Sequence, residues 1–451
     1  MWLVLFLCLI LCPDSISNPS PACDLKIVSA YEDYEYVQDG DIIIGGVFTV
    51  NCLMGGYTIP EKPNVHAMFC LKPLPHYYKK LQMFLFAIDQ VNKNPRILPN
   101  VTLGYHLYDS CSDPRKAIKS VLQILSGPGK TIPNYSCRDH QKLAGFIGDE
   151  SLTTTLPMAQ ILSVLNHVQV TFGSMGERAL FPSLYSTVND YFVMYRYISE
   201  LIRLFGWTWV GIITSADESG ERASFQLLSI LSEFKICVAF IINHGISVSK
   251  PESRALESTY NAIKKSAVKV VILCGTYHDL IFESSLRRLF RDITLILTPN
   301  WASSIVLIEN YPEMLNCSLS LNFWSEADKN FKNFVDGFHP MIRPKDKLLE
   351  NLWMTTLFCS SGNKKKDTLY EDIYHISLHN CTGQEHLPNP GDYSSNRTTD
   401  PVYYAVEFLE NSLRGLYSSQ NYSSLKGQAD DKEKYRHKVS ANVAKNRRGL
   451  Y

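Results

Sequence analysis

Short apolar runs alternate along this chain with segments of helical period, and that alternation points to one class of architecture. Asp41-Ile42-Ile43-Ile44-Gly45-Gly46-Val47-Phe48 reads as a strand buried on both faces. Leu81, Phe84, Leu85, Ile88 and Val91 then recur along one helix face, and Pro95 stops the run. Val101, Leu103, Tyr105 and Leu107 alternate as a strand, which puts His106 on the outward phase as a surface residue. A helix over about 115–125 and a strand from Leu143 to Gly148 follow. Strand, helix, strand order with connections of this length predicts right-handed βαβ units and a mostly parallel sheet with helices on both faces.

The pattern then repeats. Strands are expected over 168–172, 208–214, 237–243, 268–274 and 293–297, with helices over about 190–205, 222–234, 254–266 and 279–290. So many parallel strands in 451 residues exceed one small sheet, and the chain reads as two α/β lobes. The polar segment Tyr185 to Asp190 is the first crossing, and helices near 327–338 and 348–358 mark the return. The first lobe is thus discontinuous, 36–188 with 328–418, and the second covers 189–327. Ser360 to Asp400, rich in Ser, Asn, Gly and charge, reads as a long surface loop in which Lys364-Lys365-Lys366 is solvated charge. A helix near 403–414 precedes a divergent, polar tail over 419–451 that is expected to be disordered.

Lys+Arg and Asp+Glu both total 44, so no whole-chain field favours nucleic acid. The apolar run Met1 to Cys12, followed by Pro13 and Ser15-Ile16-Ser17, has the length of a secretory leader and is too short to span a bilayer. Cleavage is expected near Ser17, and a buried N-terminal strand is the alternative. Of twelve cysteines, two fall in the leader, and ten in a secreted chain without zinc-ligand spacing favour disulfides. Six glycosylation sequons, at Asn100, Asn134, Asn316, Asn380, Asn396 and Asn421, agree with that compartment. Asn316 and Asn380 carry Cys317 and Cys381 in mid-sequon and are the two least suited to modification.

Ligands of open parallel sheets sit beyond the carboxyl ends of strands, where helix N-termini offer free N–H groups. Gly148 to Thr155 is one such turn, with Ser151 and Thr153 as hydroxyl donors, although ordinary N-capping explains them equally well. Thr171-Phe172-Gly173-Ser174 is a second, where Gly173 would admit a ligand to the backbone. Asp190, at the crossing, could pair with an ammonium group or simply cap a helix. No nucleophile elbow, HExxH, phosphate loop or dinucleotide fingerprint occurs, so a secreted hydrolase finds no support and no resident cofactor is expected.

Together these residues resemble the ligand-binding ectodomain of class C G-protein-coupled receptors, most closely the vomeronasal type-2 and calcium-sensing receptors. The resemblance covers roughly 40 to 415 and is carried by Gly40 to Phe48, Phe86 to Asn92, Leu98-Pro99-Asn100-Val101-Thr102-Leu103-Gly104-Tyr105, Tyr108-Asp109-Ser110-Cys111, Phe205 to Gly211 and Cys381-Thr382-Gly383. It implies a two-lobed Venus flytrap of the periplasmic-binding-protein-like type I. Such a module closes on a small ligand, often an amino acid, and closure rearranges a dimer built through lobe 1. The resemblance also implies Cys70–Cys111 and Cys359–Cys381 disulfides, an intersubunit bridge at Cys137, and a downstream cysteine-rich partner for Cys237. Cys23–Cys52 is a further candidate pair, and Cys274 lies in an apolar strand as a candidate buried thiol. Calcium is implied by the resemblance alone.

The implied amino-acid site matches in part. The family's carboxylate-binding serine falls near Ser151, with Leu152 in an alternative alignment and Thr153 able to substitute. Gly173 and Ser174 fit the second backbone-binding segment, with Met175 in place of a hydroxyl, and Asp190 fits the acidic hinge residue. Ser219 replaces a tyrosine of amino-acid-binding members, and Pro299 an amine-binding acid. A peptide or another chemosignal is therefore as compatible as a free amino acid. The expected function is ligand sensing in a chemosensory receptor, with a G protein as partner only where a membrane part is attached. The pattern is lost around 418 and the chain ends at Tyr451, so a secreted binding protein or a truncated receptor is the alternative.

Overall fold

The computed structural model describes residues 34–58, 66–126, 142–173, 175, 181–188, 191–216, 218–244, 253–275, 290–302, 312–321, 329–385, 387, 400–418 and 432–446. The leader, residues 279–289 of the helix expected over about 279–290, Cys23, Cys137, Ser174, Asp190, Asn134, Asn396 and Asn421 lie outside them.

The first lobe opens with β1 (Glu35–Gln38), β2 (Ile42–Phe48) and the hairpin β3 (Asn51–Thr58) and β4 (His66–Pro73). Then come α1 (Pro75–Lys93), β5 (Leu103–Asp109), α2 (Pro114–Ser126), β6 (Lys142–Ile147), α3 (Leu152–Val164), β7 (Gln169–Thr171) and β8 (Leu184–Ser186). Its sheet has the order β1-β5-β2-β6-β7-β8, with β1 antiparallel to β5 and the rest parallel. All seven residues of β2 are buried, as expected of a central strand covered on both faces. Leu81, Phe84, Leu85 and Ile88 of α1 pack into one core face with Ile42 and Ile44, while Val47, Val121, Ile124 and Phe146 form the opposite one.

The second lobe runs α4 (Tyr191–Leu204), β9 (Trp209–Ser215), α5 (Glu218–Glu233), β10 (Cys237–His244), α6 (Ser253–Ser266), β11 (Val270–Cys274), β12 (Thr294–Leu297), α7 (Pro299–Ala302) and β13 (Leu319–Ser320). Its sheet, β10-β9-β11-β12-β13, is parallel throughout. Ile198, Ile202, Leu227 and Ile230 cover one side of it, and Ile263, Phe290 and Trp301 the other. The chain then returns through α8 (Lys329–Val335), whose Phe331 and Val335 pack in the first lobe's core, followed by α9 (Lys347–Thr356), α10 (Lys364–Tyr374), α11 (Pro401–Ser418) and α12 (Lys432–Asn446). Disulfides join Cys70 to Cys111 and Cys359 to Cys381. The first fastens the β3–β4 hairpin to the end of β5.

Three local expectations give way. His106 is 0 % exposed, because β1 adds to the edge beyond β5 and brings Glu35 to it. Its Nε2 lies 2.5 Å from Glu35 Oε1 and 3.0 Å from the Tyr108 hydroxyl. The supposed loop after Ser360 contains α10, started by Asn363, whose side chain accepts from the Lys365 and Lys366 amides. The third lysine of that run is not simply solvated: Lys366 Nζ meets Glu350 Oε2 at 2.5 Å.

The polar tail holds α12, whose Val439 and Val443, one turn apart, are buried in the first lobe's core. Asn442 Nδ2 donates to the Ser412 carbonyl of α11 at 3.0 Å, so the helix is fixed by a polar contact as well. Few apolar residues suffice when they share one stripe. Val443→Asp should lower unfolding stability by about 2–4 kcal/mol, the cost of a lost apolar contact plus an unpaired buried charge. Urea denaturation of the full chain measures it, and an unchanged midpoint would mean α12 does not pack on α11.

Candidate functional site

The carboxyl ends of β2, β5 and β6 meet around two buried aspartates, Asp109 and Asp149. Asp109 ends β5 and accepts from the Val50 amide at 2.9 Å, the Cys111 amide at 3.0 Å and Asn51 Nδ2 at 2.5 Å. Asp149 follows β6 and accepts from Thr49 Oγ1 at 2.5 Å, Ser110 Oγ at 2.9 Å and Thr154 Oγ1 at 2.9 Å. Burial pushes the Asp149 carboxyl up from its ordinary range, and these hydrogen bonds pull it partly back. Cys70 and Cys111 also lie near Asp109, but their sulfurs form the disulfide and offer no thiolate, so this cluster is a poor metal site.

Above this knot stands the start of α3. Ser151 is its N-cap: its hydroxyl accepts from the Thr153 amide at 3.3 Å and lies 2.7 Å from Thr153 Oγ1. Thr154 and Thr155 turn inward and are buried, whereas Ser151 and Thr153 remain partly exposed. Gly173 is drawn against the same turn. A Cβ there would sit 1.8 Å from the Glu150 carbonyl oxygen, so the need for glycine comes first from this close backbone approach. Thr171 Oγ1 accepts from the Gly173 amide at 3.0 Å, and Ser186 Oγ donates to its carbonyl at 2.8 Å. Both backbone groups are therefore engaged within the protein. Phe172, just before, is buried and stacked on Phe48 at 5.2 Å.

Ser151, Thr153 and Gly173 thus come together on one edge, and Ser219 belongs to the other lobe, in the first turn of α5. α3 and α5 touch, so the two lobes approach through helices that both start at carboxyl edges. The second edge is as closely packed as the first: a Cβ on Gly220 would lie 1.9 Å from the Ser215 carbonyl oxygen. Cys274, buried at the end of β11, is pushed up to about 12 by burial, which makes it an unreactive thiol. Cys237 and Cys317 are exposed thiols. Pro299 begins α7 and is half-buried. Asn100, Asn316 and Asn380 are exposed, and the Asn380 Oδ1 accepts from Ser360 Oγ at 2.9 Å.

The structure adds residues that sequence reasoning passed over. Lys80 of α1 forms an ion pair with Glu150, the two side chains being 28 % and 21 % exposed. The Lys80 ammonium lies 5.1 Å from the Tyr77 ring centre and 6.0 Å from that of Phe172. The His76 ring lies against Tyr77, tilted by 40° with 4.1 Å between ring centres. The available signal was the pair of acids Asp149-Glu150 between an apolar strand and a helix cap, set against two lysines on the first helix.

Residues 80–401 match the receptor family ligand binding region. The chain belongs to this family. It is 28 % identical to vomeronasal type-2 receptor 26 of Mus musculus over 358 residues, which cover 74 % of this chain and 40 % of that receptor. The extracellular calcium-sensing receptor of Mus musculus is 23 % identical over 86 % of the chain and 39 % of its own length. Taste receptor type 1 member 3 of Felis catus is 25 % identical over 83 % and 44 %. These relatives are class C receptors, and the chain spans about two fifths of their length. Among the described residues no helix is long and apolar enough to cross a membrane.

Burial, and next the nearby Lys80 charge, depress the His76 pKa from 6.5 to about 3. The folded protein therefore refuses a proton that the unfolded chain accepts, and the stability this contributes above pH 6.5 is lost as pH falls toward 3. His76→Gln should show a flatter loss of urea midpoint across that window than the unsubstituted chain. Parallel profiles would show that His76 titrates normally.

Proposed function

We propose that this chain is the extracellular sensing region of a chemosensory class C G-protein-coupled receptor, binding a small ligand between lobe 1 (36–188 with 328–418) and lobe 2 (189–327). The observation that carries the reading is the approach of α3 to α5, each starting at the carboxyl edge of its own lobe's parallel sheet. Ser151 and Thr153 would supply hydroxyl donors from lobe 1, with Gly173, Ser174 and Asp190 nearby in sequence and Ser219 answering from lobe 2. A ligand held first on lobe 1 gains partners when lobe 2 meets it, and only that gain can shift the lobes toward closure. Amino acids, peptides and other chemosignals all satisfy this chemistry.

In a longer receptor, closure would act on a dimer formed through lobe 1 at the plasma membrane, with a G protein on the other side. Binding of an equimolar mixture of L-amino acids, followed by small-angle scattering, tests the reading. Compaction on addition is the expected result, and Thr153→Ala and Asp190→Ala should each weaken it about tenfold in concentration by removing a hydrogen-bonding partner. Responses in both variants unchanged from that of the unsubstituted chain would exclude the proposed contacts; no compaction with amino acids or with a dipeptide pool would exclude closure on such ligands.

A disulfide-linked dimer through Cys137 should run at twice the chain mass without reductant and at the chain mass with it. A Cys137→Ser protein that still ran as a reducible dimer would remove that residue from the interface.

A further inference from the structure

We propose that the side chains of His339 and Trp353 bind a small monovalent anion of the size of chloride, where the connection from α8 packs on α9. The site does not rest on the cleft reading above.

The observation is a pair of buried donors with nothing to donate to. Trp353, in α9, is 6 % exposed, and its indole Nε1–H meets no acceptor among the described residues. His339, in the connection between α8 and α9, has its Nε2 shielded from solvent and likewise without a partner among them. The two rings lie against each other at 77°, with 5.4 Å between centres. Buried polar atoms are nearly always hydrogen-bonded, so two orphans from different segments at one place ask for a shared cause.

Both orphans are donors. An indole nitrogen can only donate. The imidazole tautomer follows from the other side of the ring, where His339 Nδ1 accepts from the Met341 amide at 3.2 Å, which leaves the ring proton on Nε2. The carbonyls of the same two residues are already taken. His339 accepts from the Ile342 and Arg343 amides, both at 2.9 Å, and Trp353 from those of Leu357 at 2.9 Å and Cys359 at 3.5 Å.

That inventory separates the occupants. A water accepting from both N–H groups would bring two hydrogens of its own, which need acceptors in the same buried place. A cation would meet two N–H dipoles pointing the wrong way. An anion accepts and brings no proton. Burying charge is costly, so the ion must be small and singly charged. Two neutral donors hold such an ion weakly, which suits one that is abundant rather than scarce.

Access is short. Met341, whose amide fixes the His339 ring, is 76 % exposed, so the site lies just beneath a surface residue. Gly383, two residues past the Cys359–Cys381 bridge, packs against it: a Cβ there would stand 2.7 Å from the Met341 sulfur. An ion held by His339 and Trp353 would tie the returning chain to α9 beside that bridge, and so stabilise the folded state.

Crystals of the unsubstituted chain soaked in sodium bromide, with data at the bromine absorption edge, test the site directly. An anomalous peak within hydrogen-bonding distance of both His339 Nε2 and Trp353 Nε1 is expected. In solution, the unfolding midpoint of the full chain should rise as chloride replaces gluconate at constant ionic strength. Trp353→Phe keeps a ring and loses the N–H; His339→Asn keeps an acceptor for the Met341 amide and loses the Nε2 donor. Each should raise the half-saturating chloride concentration about tenfold. No peak at that position would overturn the proposal, leaving a buried water or donation to the neighbouring ring face in its place. So would a chloride response in both variants equal to that of the unsubstituted chain, which puts the halide elsewhere. A peak in the crystal without chloride dependence in solution would be binding at crystal concentration only, and overturns it as well.

Discussion

Two buried carboxylates hold the carboxyl edge of the lobe 1 sheet together. Asp149 collects hydrogen bonds from residues that follow β2, β5 and β6 in turn, and Asp109 ties the end of β5 to the backbone beyond β2. A carboxylate away from water is costly, and its burial raises the Asp149 pKa. Charge-assisted hydrogen bonds, each worth about 1.5–3 kcal/mol, offset that cost only while all the donors stay in place. The arrangement is therefore cooperative: losing the carboxylate would take a shared acceptor from Thr49, Ser110 and Thr154 together. A strand edge fixed in this way can present Ser151, Thr153 and Gly173 in one geometry without help from a ligand.

The lobes are stiffened by different means. In lobe 1, the Cys70–Cys111 bridge fastens the β3–β4 hairpin beside Asp109, and Cys359–Cys381 anchors the segment around α10. Among the described residues of lobe 2 there is no disulfide, and its carboxyl edge relies on close backbone approach at Gly220 and on Trp301, whose Nε1 donates to the Cys274 carbonyl at 3.1 Å. Lobe 1 is also where the chain returns, since α8, α9, α11 and α12 all pack on it. It is the heavier, cross-linked frame, and lobe 2 is the body that would move in closure.

The parallel sheets were legible because β2, β9 and β11 are runs of apolar residues with no polar face, a pattern that only strands covered on both sides produce. His106 was misread for the same physical reason. Period-two alternation assigns a solvent face only to a strand that has one, and β5 lies between β1 and β2 with α2 near it. Edge strand β1 and the β3–β4 hairpin left no strong pattern, since β1 has mostly exposed side chains and β3 contains Gly55 and Gly56. α10 and α12 were hidden by charge, although Asn363 before α10 is an ordinary capping residue and Val439 and Val443 share one face of α12. At the site, hydroxyls and glycines could be found from local turn chemistry. The Lys80–Glu150 pair could not, because its partners are 70 residues apart and meet only when α1 lies across the sheet.

That pair also bears on how the fold can keep its shape while its ligand changes. A cleft with a charge already satisfied gains little net energy when a ligand group replaces the internal partner, because one charge-assisted contact is exchanged for another. Affinity would then come from what a ligand adds elsewhere, above all across to α5. Closure needs the same asymmetry, since a ligand satisfied entirely by lobe 1 would leave the lobes where they were. The rigid carboxyl edge fixes the geometry of Ser151, Thr153 and Gly173, and the partly exposed Lys80–Glu150 pair lies beside it, so any closure depends on what the facing lobe adds.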